Sequence, residues 1–231
     1  MKTLGTEQLL AMKFKRLALS EEFAGVLGNL PEVFMGIVYG ESGEGKTEFC
    51  IRFAKELAAF ADVKWLGYET GHAADIQEGV ARNDLKGLPI GWVDPWEESH
   101  KQKRDIDSFI PPADMPLGRD MMANRLFIAL YLMMNKGHSA KYWFIDSADA
   151  MNLTKQQVVW LRAKFVTKKG IIFIAHADGC KPESAVSKKI EYYAQFGILV
   201  KKYKAKAEKN RFCGFENLTR YFLRNGMQYP A

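Results

Sequence analysis

Eight residues, Gly40-Glu41-Ser42-Gly43-Glu44-Gly45-Lys46-Thr47, constrain this chain more than any other feature. They fit the pattern GxxxxGK[ST] at every defined position. They also stand between an apolar run, Val33–Tyr39, and a helix-period segment, Thr47–Phe60, in which Phe49, Phe53 and Leu57 recur four apart. The chain must therefore pass from a strand through a glycine loop directly into a helix. In that arrangement the glycines let backbone N–H groups converge on phosphate oxygens, and the helix N-terminus adds its dipole. Lys46 then reaches the β- and γ-phosphates of a nucleotide, and the Thr47 hydroxyl ligates Mg²⁺. All eight residues are candidates for holding the phosphates.

The rest of the sequence keeps the same alternation. Apolar runs at Val63–Tyr68, Leu88–Val93, Tyr142–Ile145 and Ile171–Ala175 are interleaved with helical patterns near Ala73–Arg82, over Met121–Asn135 and over Thr154–Val166. Short apolar runs separated by helix-length segments predict an α/β fold, a mostly parallel sheet with helices on both faces. From Ala194 the pattern changes. Phe196–Tyr203 and Phe215–Leu223 predict an antiparallel hairpin extension, placed at 194–224. Residues 6–28 read as helical and give an N-terminal lead-in over 1–30, ahead of a core over 31–231. Between Asp94 and Gly118 stand four of the eight prolines and many charges, which predict a surface loop or lid. Trp96 and Phe109 within it either pack on the body or meet a ligand.

Composition closes off other classes. Three cysteines without a CxxC pair exclude a disulfide scaffold and a zinc site, and point to the cytoplasm. The densest apolar stretch, Leu126–Met134, falls far short of the ~20 residues that span a bilayer, so no membrane role is expected. The net charge of +6 is local: 11 basic and five acidic residues lie beyond residue 176, and the remainder is balanced. A basic end on a neutral body fits a polyanion partner, or a solvated lysine surface.

Hydrolysis of a bound nucleotide needs two carboxylates more. Tyr142-Trp143-Phe144-Ile145-Asp146 is a buried-strand pattern ending in an acid, which suits Asp146 to hold Mg²⁺ through water. Leu66-Gly67-Tyr68-Glu69 places Glu69 at a strand's carboxyl edge, where it can activate water or cap the next helix. Ile171–Ala175 ends in His176 at the same edge, as a γ-phosphate sensor or a solvated histidine. His72 is close enough to Glu69 in sequence to be a further candidate.

The order of these features resembles the RecA-type ATPase core of RecA recombinases, RadA-like repair proteins, DnaB-type helicases and short phage RecA-core annealing proteins. The likeness spans about residues 31–224. It implies that the segment 178–184 and the following helix contact single-stranded DNA, which brings in Lys181, Lys188 and Lys189. Lys209-Asn210-Arg211-Phe212-Cys213-Gly214 is similar to the KNRFG motif of RadA-like proteins with one extra residue, Cys213. By that resemblance Lys209 and Arg211 reach the γ-phosphate of a neighbouring subunit, in a ring or filament with nucleotide between protomers; the other reading is two hairpin cations in water. His176 departs from the usual glutamine of RecA. Lys202, Lys204 and Lys206 would share one face of an extended strand, suited to a phosphate backbone or to blocking edge-to-edge pairing. The expectation is an ATP- and Mg²⁺-dependent, DNA-stimulated ATPase in recombination, repair or replication, encoded by a phage or mobile element and with a possible replication or recombination partner. The alternatives are a nucleotide-dependent switch that loads a helicase or transposase, and a small-molecule kinase with 94–118 as its lid and Arg104 or Arg119 as phosphate clamps.

Overall fold

The computed structural model describes residues 3–136, 139–212 and 219–221. The strands are β1 (Phe34–Gly40), β2 (Val63–Gly67), β3 (Ile90–Val93), β4 (Tyr142–Asp146), β5 (Gly170–Asp178), β6 (Lys181–Pro182), β7 (Phe196–Lys201), β8 (Lys204–Asn210) and β9 (Thr219–Tyr221). The helices are α1 (Thr6–Leu10), α2 (Glu21–Leu27), α3 (Lys46–Ala58), α4 (Ala74–Arg82), α5 (Pro95–Lys101), α6 (Lys103–Asp107), α7 (Met121–Asn135), α8 (Lys155–Phe165) and α9 (Ala185–Tyr193).

The strands form one sheet in the order β3-β2-β4-β5-β1-β7-β8-β9, with β6 folded back on the end of β5. From β3 to β7 the pairings are parallel, and β8 and β9 add on antiparallel. The α/β class and the C-terminal antiparallel hairpin expected from the sequence are both present. Each face of the sheet carries its own core. Phe34 and Val38 of β1 pack with α2 and α3, whereas Ile37 and Tyr39 pack with α7, α8 and α9. A strand covered on both faces has no polar side to alternate with, which is why all seven residues of β1 are buried. Phe53 of α3 sits among the rings of Phe23, Phe34, Phe49, Phe144 and Phe196. Truncating it to alanine would cost about 3–5 kcal/mol.

Three segments differ from expectation. Residues 6–28 are not one helix but α1 and α2 joined by extended chain. Leu17 N donates to Leu30 O and Glu32 N to Lys15 O, so residues 15–17 bond across to 30–32 instead of within a helix. Leu9, Leu10 and Met12 meanwhile lie exposed, with no surface to cover. The segment 94–118 contains α5 and α6. Asp94 Oδ1 accepts from the N–H groups of Trp96 and Glu97, and Pro95 occupies the first helical position, where its missing N–H does no harm. These helices dock on α7 through Arg125, which bonds Asp107 Oδ1 at 3.0 Å and Ser99 O at 3.1 Å. Phe109 packs on the body against Tyr131, whereas Trp96 is tied to it through Nε1 donating to Tyr68 O and stays exposed.

The third difference is the hairpin. β7 turns at Lys202 and Tyr203 and pairs with β8, a strand of alternating alanine and charge in which Ala205 and Ala207 point into the core. Alanine gives a weak apolar signal, so this strand shows in the sequence through the spacing of its lysines and not as an apolar run. Of the expected strand at 215–223, residues 219–221 form β9, paired with β8; the others lie outside the described residues, as do Cys213 and Gly214. No helix among the described residues is long and apolar enough to cross a membrane.

Candidate nucleotide site

At the carboxyl end of β1 the chain turns tightly through Gly40–Gly45 into α3. Three glycines are needed there for separate reasons. A Cβ on Gly40 would lie 2.2 Å from Val200 O, while Gly43 and Gly45 have φ of 78° and 97°, which L side chains rarely adopt. Gly45 is also the N-cap of α3, and no side chain bonds to the helix's first N–H groups. Those donors therefore point out of the loop as an anion site.

The loop opens onto a cleft of about 420 Å³. Ser42, Gly43, Gly45, Lys46 and Thr47 line one side, and Glu69, Asp146 and His176 the other. Glu69 arrives from β2, which is separated from β1 by β4 and β5, so it faces the loop across the strand ends instead of sitting beside it. Tyr68 N and Glu69 N both donate to Asp146 O, which ties the end of β2 to that of β4. The Asp146–Ser147 peptide is cis.

Electrostatics follow from burial. Asp146 is 8% exposed. Desolvation, helped by the charge of Glu69, pushes its carboxyl up to about 7, against the opposing pull of Lys46. Burial likewise lowers the Lys46 ammonium, with Glu69 and Asp146 opposing that shift. Lys46 Nζ donates to Glu41 O at 2.8 Å, curling the side chain over its own loop. His176 Nε2 lies 3.2 Å from Glu69 Oε2. Since a carboxylate only accepts, Nε2 carries the proton in that contact.

The residues fit Mg²⁺. Among the described residues no cluster of three or more His, Cys, Asp and Glu could cage a metal. Mg²⁺ needs no such cage, because it is held by one or two carboxylates together with substrate phosphates. A buried carboxylate whose ionisation is opposed by its surroundings, lining the same cleft as Thr47, matches that chemistry.

Other expected residues lie outside this cleft. Lys209 Nζ donates to Glu191 O at 2.6 Å and Tyr192 O at 2.9 Å, so it caps the C-terminal turn of α9. Burial and the charge of Arg211 lower its ammonium. Arg211 is exposed, its backbone N donating to Gln195 O, and neither side chain lines the cleft. His72 bonds Trp92 O at 3.4 Å and is also outside the cleft lining. The six lysines expected to meet DNA fall on two structures. Lys181 lies on β6, with Lys188 and Lys189 on α9, where Lys189 sits over the rings of Tyr192 and Tyr193. Lys204 and Lys206 alternate on β8, but Lys202 occupies the turn and leaves their strand face.

That turn is part of the site. Glu44 of the phosphate loop accepts from Lys202 N through its carboxylate, and from Tyr203 N, at 3.1 Å, through its carbonyl. Tyr203 thereby lines the cleft. Asp75, Thr70 and Arg82 line it too, and Arg82 is bonded to Glu48 at 2.6 Å. Sequence reasoning missed these four. For Thr70 and Asp75 the nearby signal was their position just after Glu69.

The structure matches a KaiC-like protein from the hyperthermophilic archaeon Pyrococcus horikoshii with a TM-score of 0.58 and 15% identity, over 94% of this chain and 99% of that one. It matches the flagellar accessory protein FlaH from Methanocaldococcus jannaschii with a TM-score of 0.52 and 14% identity, over 90% and 93% of the two chains. The fold is the RecA-like core. At these identities the likeness concerns the fold alone. No protein-family model matches the sequence, and no curated protein matches it. Within the RecA-like core of this chain, the phosphate loop, Asp146, Glu69 and His176 all meet at one edge of the sheet.

Proposed function

We propose that this protein binds ATP with Mg²⁺, hydrolyses it, and uses the cycle to act on single-stranded DNA in recombination, repair or replication. The observation that carries the hydrolytic reading is the convergence of Lys46, Thr47, Asp146 and Glu69 on one cleft, from three elements far apart in sequence. The loop N–H groups and Lys46 would hold the phosphates, and Thr47 and Asp146 would hold Mg²⁺, which when bound would supply neutralisation of phosphoryl charge. Glu69 orients the attacking water and takes its proton. His176, bonded to Glu69, fixes where that carboxylate points.

The DNA part rests on the basic end, where Lys181, Lys188, Lys189, Lys202, Lys204 and Lys206 are distributed over β6, α9 and the β7–β8 hairpin. Assembly into a ring or filament would bring Arg211 to a neighbour's nucleotide. Arg211 is better disposed for this than Lys209, which would first have to leave the α9 carbonyls. The compact core fits a phage or mobile-element protein working in the cytoplasm, with a replication or recombination protein as a further partner.

The test is the ATPase rate with and without single-stranded DNA across a salt series. The expected result is stimulation by DNA, with binding that weakens linearly in log salt, by about 0.7 per phosphate contact. DNA-independent turnover without salt-sensitive binding would remove the DNA part, and absence of turnover with MgATP would remove the hydrolase. A second reading, a slow nucleotide-dependent switch that loads a helicase or transposase, is favoured by one observation: Glu69 is already engaged by His176. Capture of such a partner with a non-hydrolysable ATP analogue but not with ADP would select it. The kinase reading would use α5 and α6, which bond to Arg125 of α7, as its lid.

A further inference from the structure

β4 pairs with β5 only as far as Asp146 and Ile174, so the backbone N–H of His176, two residues on, has no strand partner there. A side chain receives it instead. Asp149, in the turn after β4, accepts from His176 N through Oδ2 at 3.0 Å. Its other oxygen, Oδ1, accepts from Ser187 Oγ at 2.6 Å, and Ser187 is fully buried in the first turn of α9. A serine has one hydroxyl proton, and here it goes to the carboxylate. The contact of 2.9 Å between Ser184 Oγ and Ser187 Oγ must then run the other way, with Ser184 donating. Ser184 is the N-cap of α9 and also accepts from Ser187 N at 3.0 Å. A directed chain of hydrogen bonds thus connects the cap of α9 through Ser187 and Asp149 to the backbone of His176, whose ring holds Glu69.

We infer that Asp149 and Ser187 are positioning residues for Glu69, acting through His176, and that they tie its aim to the first turn of α9. Neither residue lines the cleft, and neither touches Glu69. Their effect is geometric. A displacement of about 1 Å in a catalytic group can cost on the order of 100-fold in rate, and the Asp149 carboxylate joins the α9 side chains to the His176 backbone N–H, beside the bond from Glu183 N to His176 O at 3.0 Å. Since α9 follows closely on β6, which carries Lys181, whatever shifts β6 also shifts the bond that sets Glu69. This inference rests on the hydrolytic reading of Glu69, and its test is arranged to fail separately.

The variants are Asp149→Ala, Asp149→Asn and Ser187→Ala in the full chain. The asparagine can reproduce both bonds, accepting from His176 N through Oδ1 and donating to Ser187 Oγ through Nδ2. Three readouts are taken: kcat and KM for ATP, affinity for a fluorescent ATP analogue, and the ring ¹H–¹⁵N signals of His176, assigned by comparison with His176→Gln. The expected result for Asp149→Ala is a kcat lower by about 10- to 100-fold, with KM and analogue affinity within about twofold and a shifted ring signal. Asp149→Asn restores most of the rate and the wild-type ring signal, and Ser187→Ala falls between. If Asp149→Ala does not fold, Ser187→Ala, which removes one oxygen and leaves the Ser184 cap, gives the same comparison. Wild-type rate and ring signals in Asp149→Ala would overturn the inference, as would parallel losses of rate and nucleotide affinity. If the wild-type protein shows no turnover, the hydrolytic reading fails, and an unshifted ring would then refute the positioning role independently.

Discussion

His176 and Glu69 are 107 residues apart in sequence, yet the imidazole Nε2 lies 3.2 Å from the Glu69 carboxylate. The pairing follows from strand order. β5 and β2 flank β4 on opposite sides, so His176, near the carboxyl end of β5, and Glu69, just beyond that of β2, meet at the Asp146 end of β4. The carboxylate that faces the phosphate loop is therefore held by a donor on a different strand, and its aim depends on both.

Replacing Glu69 by glutamine keeps an acceptor for His176 but removes the base. The expected outcome is a fall in kcat of at least about 100-fold, with KM for ATP changed by less than about threefold. Steady-state ATPase kinetics decide it, and a variant retaining a tenth of wild-type turnover would mean that another group activates the water.

Gly40→Ala should fail for a reason distinct from loop flexibility. Its Cβ would lie 2.2 Å from a backbone oxygen of β7, and neither strand can move without breaking the β1–β7 pairing. A destabilisation of about 2 kcal/mol or more is expected, in the range of overpacked sites, together with weakened nucleotide binding. Thermal melting and a nucleotide titration measure the two. Gly43→Ala meets no atom within 4 Å, and strain at its φ of 78° is its sole cost, so it should be the milder variant.

Asp146 gives a pH-dependent stability with a defined sign. Its carboxyl titrates at about 7 in the folded chain against 3.8 for the ordinary group, so between those values the folded state binds the extra proton. Stability contributed by this residue therefore falls as pH rises from about 4 to 7. In metal-free protein Asp146→Asn should melt above wild type at pH 8, by about 3–6 °C, and the difference should close towards pH 4. Added Mg²⁺ with nucleotide should reverse the order at pH 8, because only the carboxylate can hold the ion. Melting curves that stay parallel at both pH values would show that burial does not oppose this charge.

Much of the architecture was legible because the informative residues carry strong local signals. The glycines of the phosphate loop, the apolar run ending at Asp146, and the spacing of Phe49, Phe53 and Leu57 each dictate structure with little help from elsewhere. The failures have physical causes too. Pro95 looked like a loop marker, yet proline suits the first position of a helix when an aspartate caps it, as Asp94 does. β8 showed through its spaced lysines and not as an apolar run, because alanine fills its inward positions. Tyr203, Arg82 and the Asp149–Ser187 bond were unreadable, since each depends on which strands become neighbours. Lys202 and Lys209 were singled out by their position in the chain and by the resemblance; the structure places Lys202 in the β7–β8 turn and Lys209 against the last carbonyls of α9.

Lys202 turns the basic hairpin into a test that separates charge from fold. It and Tyr203 have φ of 48° and 59°, both in the left-handed region, at the two central positions of a two-residue hairpin turn that favours asparagine and glycine. The bond to Glu44 uses the Lys202 backbone N–H, so the side chain can change while the contact with the phosphate loop remains. Lys202→Asn should accordingly raise the melting temperature by about 1–3 °C and leave ATP affinity unchanged, while removing one positive charge from the hairpin. On β8, Lys206 is paired with Glu208 at 3.0 Å. Lys206→Gln should therefore reduce the salt slope of single-stranded DNA binding by less than the about 0.7 of a full phosphate contact, since Glu208 already offsets its charge. A loss of the full 0.7 or so would mean that Lys206 leaves Glu208 to meet DNA. An unchanged slope in Lys202→Asn, Lys204→Gln and Lys206→Gln alike would move the DNA contact to Lys181, Lys188 and Lys189, on β6 and α9.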